Sequence, residues 1–213
     1  MKNMMLLLSF IALSSPAFAD DNLDAQIAVI QHEWAKATYQ TPKDAQEDAF
    51  KLLIEKAHQV TTANDNAPEA MIWEAISNSG YAKAKGGIGA LKFAEKARDL
   101  LVESQKVSPN ALQGSAYTSL GSLYYKVPGW PVGFGDKKKA RMYLEKALQV
   151  NPSGIDPNYF YADFLSGQGE YAKAVEYYKK ALAAPARLGR EDADAGRKKE
   201  VEEGLKVAEK KAN

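Results

Sequence analysis

Apolar residues recur along this chain at helical intervals, with small residues at fixed places among them. In the stretch 171–182, Ala174, Tyr178 and Ala181 lie at i, i+4 and i+7 and share one helical face. Small, large, small on one face lets a second helix approach closely at the alanines while the ring fills the space between them. The same spacing returns at Ala140, Leu144 and Ala147 before Pro152, and at Ala97, Leu101 and Ser104 before Pro109. Prolines 109, 152 and 185 predict the ends of these helices or the starts of the next. They lie 43 and 33 residues apart, close to the roughly 34 residues of a repeating helix–turn–helix unit.

Each such helix has a candidate partner before it. Tyr117, Leu120, Gly121 and Tyr124 supply bulky residues around one small crossing position. Asn158, Tyr161, Ala162 and Leu165 repeat that pattern, and Trp73, Ile76, Ser77 and Gly80 repeat it more loosely. Gly169 falls where the turn between paired helices favours a left-handed backbone. Upstream, Leu23, Ile27, Ile30, Trp34 and Ala37 form an amphipathic stripe that Pro42 ends. A second helix from about Asp44 to Val60 buries Phe50, Leu53, Ile54 and Ala57. The last helix, from about Asp192 to Lys210, is polar apart from Val201, Leu205 and Val207.

Two segments interrupt the pattern. From Tyr124 to Ala140 is 16 residues, where an uninterrupted unit needs about 9. The excess contains Pro128, Gly129, Trp130, Pro131, Gly133, Phe134 and Gly135. Prolines and glycines at this density exclude helix, and the two aromatic rings offer area to bury. The segment therefore reads as a structured loop that either tucks Trp130 into the core or lays Trp130 and Phe134 over a ligand as a lid. Asp136 reads as the N-cap of the helix that follows. The second interruption, Gly86, Gly87 and Gly89, is a turn between two helices. It lacks the Lys-Ser or Lys-Thr and the preceding strand of a phosphate-binding loop.

These residues resemble the tetratricopeptide repeat (TPR), closely in 111–152 and 155–185 and loosely in 70–109. The resemblance implies an all-α fold: a right-handed TPR-like solenoid of antiparallel helix pairs with a C-terminal capping helix. The implied organisation is a signal peptide at 1–19, an N-terminal pair or cap at 20–66 and repeats at 67–109, 110–153 and 154–185. A linker and capping helix then occupy 186–213. In such an array the first helix of each pair lines a concave groove. Counting from the small crossing residues, the lining set is Met71, Glu74, Asn78 and Tyr81, then Ser115, Thr118, Ser122 and Tyr125, then Asp156, Tyr159 and Asp163. Carboxylates, hydroxyls and rings on one face suit a peptide or a small polar-aromatic ligand. The string 117–131, with 156–161 and 183–190, is further similar to the TatT family, TPR partners of periplasmic TRAP-type solute transporters. That likeness implies an accessory or docking protein handling a small ligand, a hydrophobic one included, between helices. The chain departs from the family in having no cysteine to carry a lipid.

Composition narrows the rest. Met1-Lys2-Asn3, an apolar run from Met4 to Leu13 and Ala17-Phe18-Ala19 read as a secretory signal cleaved after Ala19. The run is about 10 residues, short of the roughly 20 of a spanning helix. A periplasmic protein that is not membrane-embedded is expected, with secretion as the alternative. No cysteine means no disulfide framework. The chain carries 28 basic and 27 acidic residues, and losing Lys2 leaves 27 of each. That balance gives no general electrostatic case for nucleic acid or an anionic membrane. His32 and His58 are the only histidines, and no second histidine follows His32 at zinc-protease spacing. The run Glu191-Asp192-Ala193-Asp194 reads as an acidic helix start rather than a calcium loop. No constellation for catalysis, metal or cofactor emerges. The sequence thus predicts a non-enzymatic binding or scaffold protein with a protein or peptide partner in the cell envelope, or else a small ligand.

Overall fold

The computed structural model describes residues 17–212, with side chains from Asn22 onward. The expected signal peptide lies outside the described residues except for 17–19, with which the first helix begins. In order the helices are α1 (Ala17–Tyr39), α2 (Gln46–Ala63), α3 (Pro68–Lys85), α4 (Leu91–Val107) and α5 (Ala111–Lys126). They are followed by α6 (Lys137–Val150), α7 (Ile155–Gly167), α8 (Tyr171–Leu182) and α9 (Glu191–Ala212). Each packs on the next in sequence, and alternate helices α1, α3, α5, α7 and α9 also touch one another in turn. The result is two layers of stacked antiparallel pairs, the TPR-like solenoid expected from the repeat pattern.

The small–large–small faces account for the pairing. Ala97, Leu101 and Ser104 of α4, Ala140, Leu144 and Ala147 of α6, and Ala174, Tyr178 and Ala181 of α8 are all buried. Gly121 lets α5 approach α6 so closely that a methyl group there would fall 2.5 Å from Leu144 Cγ. Asp136 caps α6, its carboxylate accepting from the backbone N–H groups of Lys138 and Lys139. Gly86 and Gly87, both with φ of 64°, end α3 and turn the chain into α4. One cluster of apolar side chains runs from α3 to α9, and a second joins α1, α2 and α3. Ile76 and Leu112 pack against both.

Three local features depart from the periodic reading. At the start of α5, Leu112, Gln113 and Gly114 are left-handed (φ 48°, 55° and 74°), so regular helix begins at Ser115. There the chain wedges against the end of α6, where a methyl on Gly114 would meet Val150 Cγ1 at 2.8 Å. In α9 the buried apolar residues are Ala193, Val201 and Ala208, whereas Val207 is half exposed. The third departure is the largest: α9 packs on α1 as well as on α7 and α8. The array curls until its two ends meet. Gly196 of α9 lies against the Tyr39 ring, 2.3 Å from where a methyl would stand, and His32 Nδ1 lies 2.9 Å from Asp192.

Candidate functional site

The closed inner face is held by charges that few single segments would reveal. Asp156 sits in the first turn of α7, where a carboxylate is favoured by the helix dipole. Arg187, from the segment after α8, donates to it through Nη1 at 2.7 Å, and Arg197 of α9 donates through Nε at 2.8 Å. Arg187 also donates to Asp194, and Arg197 to Glu200 at 2.6 Å. Glu200 in turn accepts from the Tyr39 hydroxyl at 3.1 Å, tying α1 into the network. The Arg197 guanidinium lies 4.5 Å from the Tyr159 ring centre and 4.7 Å from that of Phe160. Burial pushes the Tyr39 and Tyr159 hydroxyls well above the usual phenol range.

Asp156 titrates accordingly. Burial raises its pKa, but Arg197 and Arg187 outweigh burial and bring it down to about 2. A carboxylate with a depressed folded pKa contributes stability that is full above its unfolded value, near 3.8, and lost as pH falls through its folded one. The contribution is about 2 kcal/mol, each pKa unit being ~1.4 kcal/mol. Wild type is expected to exceed Asp156→Asn in stability above pH 4. Urea melts at intervals from pH 5 to pH 2 should show that gap closing, and a constant gap would exclude this carboxylate as its source.

The expected groove residues divide into three groups. Met71, Glu74, Asn78 and Tyr81 are buried at the junction of α2, α3 and α4 and do not line the inner face. Glu74, 1% exposed, meets His58 of α2 and Lys96 of α4 at 3.0 and 2.7 Å. The Tyr81 hydroxyl donates to Glu47 of α2, and its ring packs edge-on against Phe93 of α4. Ile72 and Ala75 of α3 pack in one cluster with Ala94, Ala97 and Leu101 of α4, and Ser77 is itself fully buried. In α5, Thr118 is buried, Ser115 and Ser122 are half-buried, and Tyr125 packs edge-on against Phe164 of α7. In α7, Asp163 pairs with Lys126 of α5, while Asp156 and Tyr159 are covered by α9. A continuous open groove through all eleven positions is therefore absent.

The loop between α5 and α6 separates its two aromatics. Phe134 turns inward, edge-on to Tyr124 and 4.7 Å beneath the Arg98 guanidinium. Trp130 points outward and is 90% exposed. It neither enters the core nor lies over the inner face as a lid. Hydrogen bonds from the Val132 and Gly133 amides to the Gly129 carbonyl, and from the Gly135 amide to the Pro128 carbonyl, shape the tip. Lys137, Lys138 and Lys139 follow at the start of α6, the helix end where cations are disfavoured by about 0.3–1 kcal/mol each.

Two features escaped the sequence reading. Trp73 packs on Trp34 of α1, and the Arg190 guanidinium lies 5.0 Å from its ring centre. Trp73 Nε1 and Arg190 Nε are both buried without a hydrogen-bond partner. Burial and the neighbouring Arg187 hold the Arg190 pKa below its usual value. The second feature is an open cleft of about 800 Å³ on the outer side of α6. Tyr117, Met142, Tyr143, Phe164, Arg141 and Glu170 are among its walls. Met142 is 54% exposed there, and Arg141 bridges to Glu170. Exposed apolar residues one helical turn apart are the only sequence signal for such a cleft, and Met142 stands alone.

The TPR family model matches residues 133–153 and 155–186, the stretches of α6 and of α7 with α8. Among solved structures, a thermophilic TPR protein of Thermus thermophilus is similar at 20% identity and a TM-score of 0.56, over 89% of this chain and 91% of that one. MamA is similar at 19% identity and a TM-score of 0.44, over 80% and 92%. The pilF protein of Pseudomonas aeruginosa is similar at 17% identity and a TM-score of 0.37, over 90% and 89%. No curated protein matches the chain. The chain carries tetratricopeptide repeats, and its architecture is that of an all-α TPR solenoid.

Proposed function

We propose that this chain is a TPR scaffold of the cell envelope that recruits a protein or peptide partner through the outer cleft on α6. The repeat fold supports a protein-binding role, because stacked helix pairs present long contiguous surfaces. The observation that carries the choice of surface is the closure of the inner face: α9 and α1 occupy the space a groove-bound peptide would need. The α6 cleft is open, and it combines aromatic walls with an exposed methionine and a ring of charges. Aromatic, Met and Arg side chains are the types enriched where partners bind. Met142→Asp places a charge at that cleft without disturbing the core. It is expected to reduce partner capture from envelope extracts at least tenfold by quantitative mass spectrometry; unchanged capture would count against the cleft. Export is part of the same reading, resting on the residue pattern of 1–19. An alkaline phosphatase fusion active in intact cells tests it.

A second reading keeps the TatT likeness and assigns a small polar ligand to the interior, in an accessory role beside a TRAP-type transporter. It is favoured by the orphaned donors Trp73 Nε1 and Arg190 Nε, which a ligand's acceptor atom would satisfy. Native mass spectrometry of the chain purified from its own envelope distinguishes the two: a bound mass of a few hundred daltons supports the ligand, and a polypeptide mass supports the scaffold.

A further inference from the structure

The connections α3–α4 and α5–α6 emerge on the same edge of the array. A methyl on Gly133 would fall 3.2 Å from Leu91 Cδ1, and Ile88 stands one turn before Leu91. Ile88 and Trp130 are each 90% exposed, and Val132 is 60% exposed. The tip is built to stay in shape. Gly135 lies so close to the Val127 carbonyl that no side chain fits, and Phe134 anchors the loop from beneath. Lysine dominates around it: residues 83–92 and 126–139 contain seven lysines and one acid, Asp136. That excess contrasts with a formal net charge of +1 for the whole chain. Lys85 and Lys126 pair with Glu47 and Asp163, but Lys92, Lys137, Lys138 and Lys139 have no ion-pair partner among the described residues. Three of these four oppose the dipole of the helix they begin, so helix stability does not account for them.

We propose that this edge docks on a bilayer surface bearing anionic headgroups, with Trp130, Val132 and Ile88 entering the interfacial region and the lysines meeting the headgroups. The chemistry is complementary on both counts. Indole favours the boundary between headgroup and acyl chain, and lysines beside it are attracted by the negative surface. A projecting, convex tip reaches into a soft interface, whereas a protein partner would need a pocket to receive it. No helix of the described residues is long and apolar enough to cross a membrane, so the docking is peripheral. Lys137 and Lys138 also line the α6 cleft, so the Trp130 variant, which lies outside that cleft, separates this docking from partner capture at Met142.

Vesicles of phosphatidylcholine with one quarter phosphatidylglycerol, compared with phosphatidylcholine alone, provide the test on the full chain. Binding by co-sedimentation is expected only with the anionic lipid, and to weaken in high salt. Brominated lipid should quench the exposed component of tryptophan emission, which belongs to Trp130 at 90% exposure, because Trp73 is buried and Trp34 is partly buried against it. Lys138→Glu with Lys139→Glu is expected to reduce binding about tenfold or more. The same change places acids at a helix start, so its Tm should not fall. Trp130→Ala is expected to reduce binding by several-fold without a change in Tm. Adherence mediated by residues 1–19 would be shared by every variant and would leave Trp130 unquenched. Binding without quenching of Trp130, binding unaffected by the lysine reversals, or preference for an acidic polypeptide over the vesicles would each overturn the proposal.

Discussion

Gly121→Val is expected to destabilise the chain by about 3 kcal/mol, lowering Tm by roughly 6–12 °C at this chain length. The glycine marks the closest approach of α5 to α6. A Cβ there would stand 2.5 Å from Leu144 Cγ, 2.8 Å from its Cδ2 and 3.1 Å from its backbone nitrogen. Leu144 has no exposed surface, so its side chain has no empty volume to rotate into. The nitrogen belongs to α6 itself and moves only if the whole helix does. Valine adds two γ-carbons to that conflict. Gly121→Ala sits between the extremes, because alanine gains up to about 1 kcal/mol in helix propensity against part of the same clash. The ordering glycine, alanine, valine in thermal melts followed by circular dichroism is the observable, and an unchanged Tm for valine would contradict the crossing geometry. Leu144→Ala in the valine background should recover part of the loss, since it empties the volume that the new side chain needs.

That crossing was legible because its determinants are local. Ala140, Leu144 and Ala147 lie within two turns, and Gly121 sits among Tyr117, Leu120 and Tyr124 at the same spacing. Asp136 was legible for the same reason: an N-cap is decided by the residue and the three that follow it. The facing of α3 was not. Ser77 is buried as a small crossing residue should be, but Glu74, three positions before it and expected in a groove, is buried as well. The carboxylate is instead compensated by Lys96, 22 residues later, and by His58, 16 residues earlier. No periodicity in α3 contains that information. The Trp130 loop was ambiguous in another way, since two aromatics four residues apart in a glycine-rich segment give no rule for which one turns inward. Arg98, a whole helix away, decides it by taking the Phe134 face. Closure of the array is the extreme case, because its hydrogen bonds join residues 160 and 161 apart, His32 to Asp192 and Tyr39 to Glu200.

Arg197→Met is expected to cost about 3 kcal/mol and to loosen both ends of the chain together. The guanidinium is buried, and among the described residues it is the one group that touches Asp156, Glu200 and the rings of Tyr159 and Phe160. Removing one partner of a buried pair typically costs about 3–5 kcal/mol because the remaining charge is left desolvated. The lower end applies, since Asp156 keeps Arg187 at 2.7 Å. Methionine retains much of the apolar stem, so the loss reflects charge and hydrogen bonding more than volume. Arg197→Lys keeps the charge but not the fork that reaches Asp156 and Glu200 at once, and should recover only part of the stability. The distinguishing observable is amide hydrogen exchange. Glu200, released from Arg197, no longer fixes the Tyr39 hydroxyl, so α1 should exchange faster alongside α9 although the substitution lies only in α9. The centres of α4 and α6, which pack on other faces, should keep their protection. Faster exchange confined to α9 would mean that Gly196 against Tyr39 closes the array by shape alone, and that the arginine network merely fills the space the closure leaves.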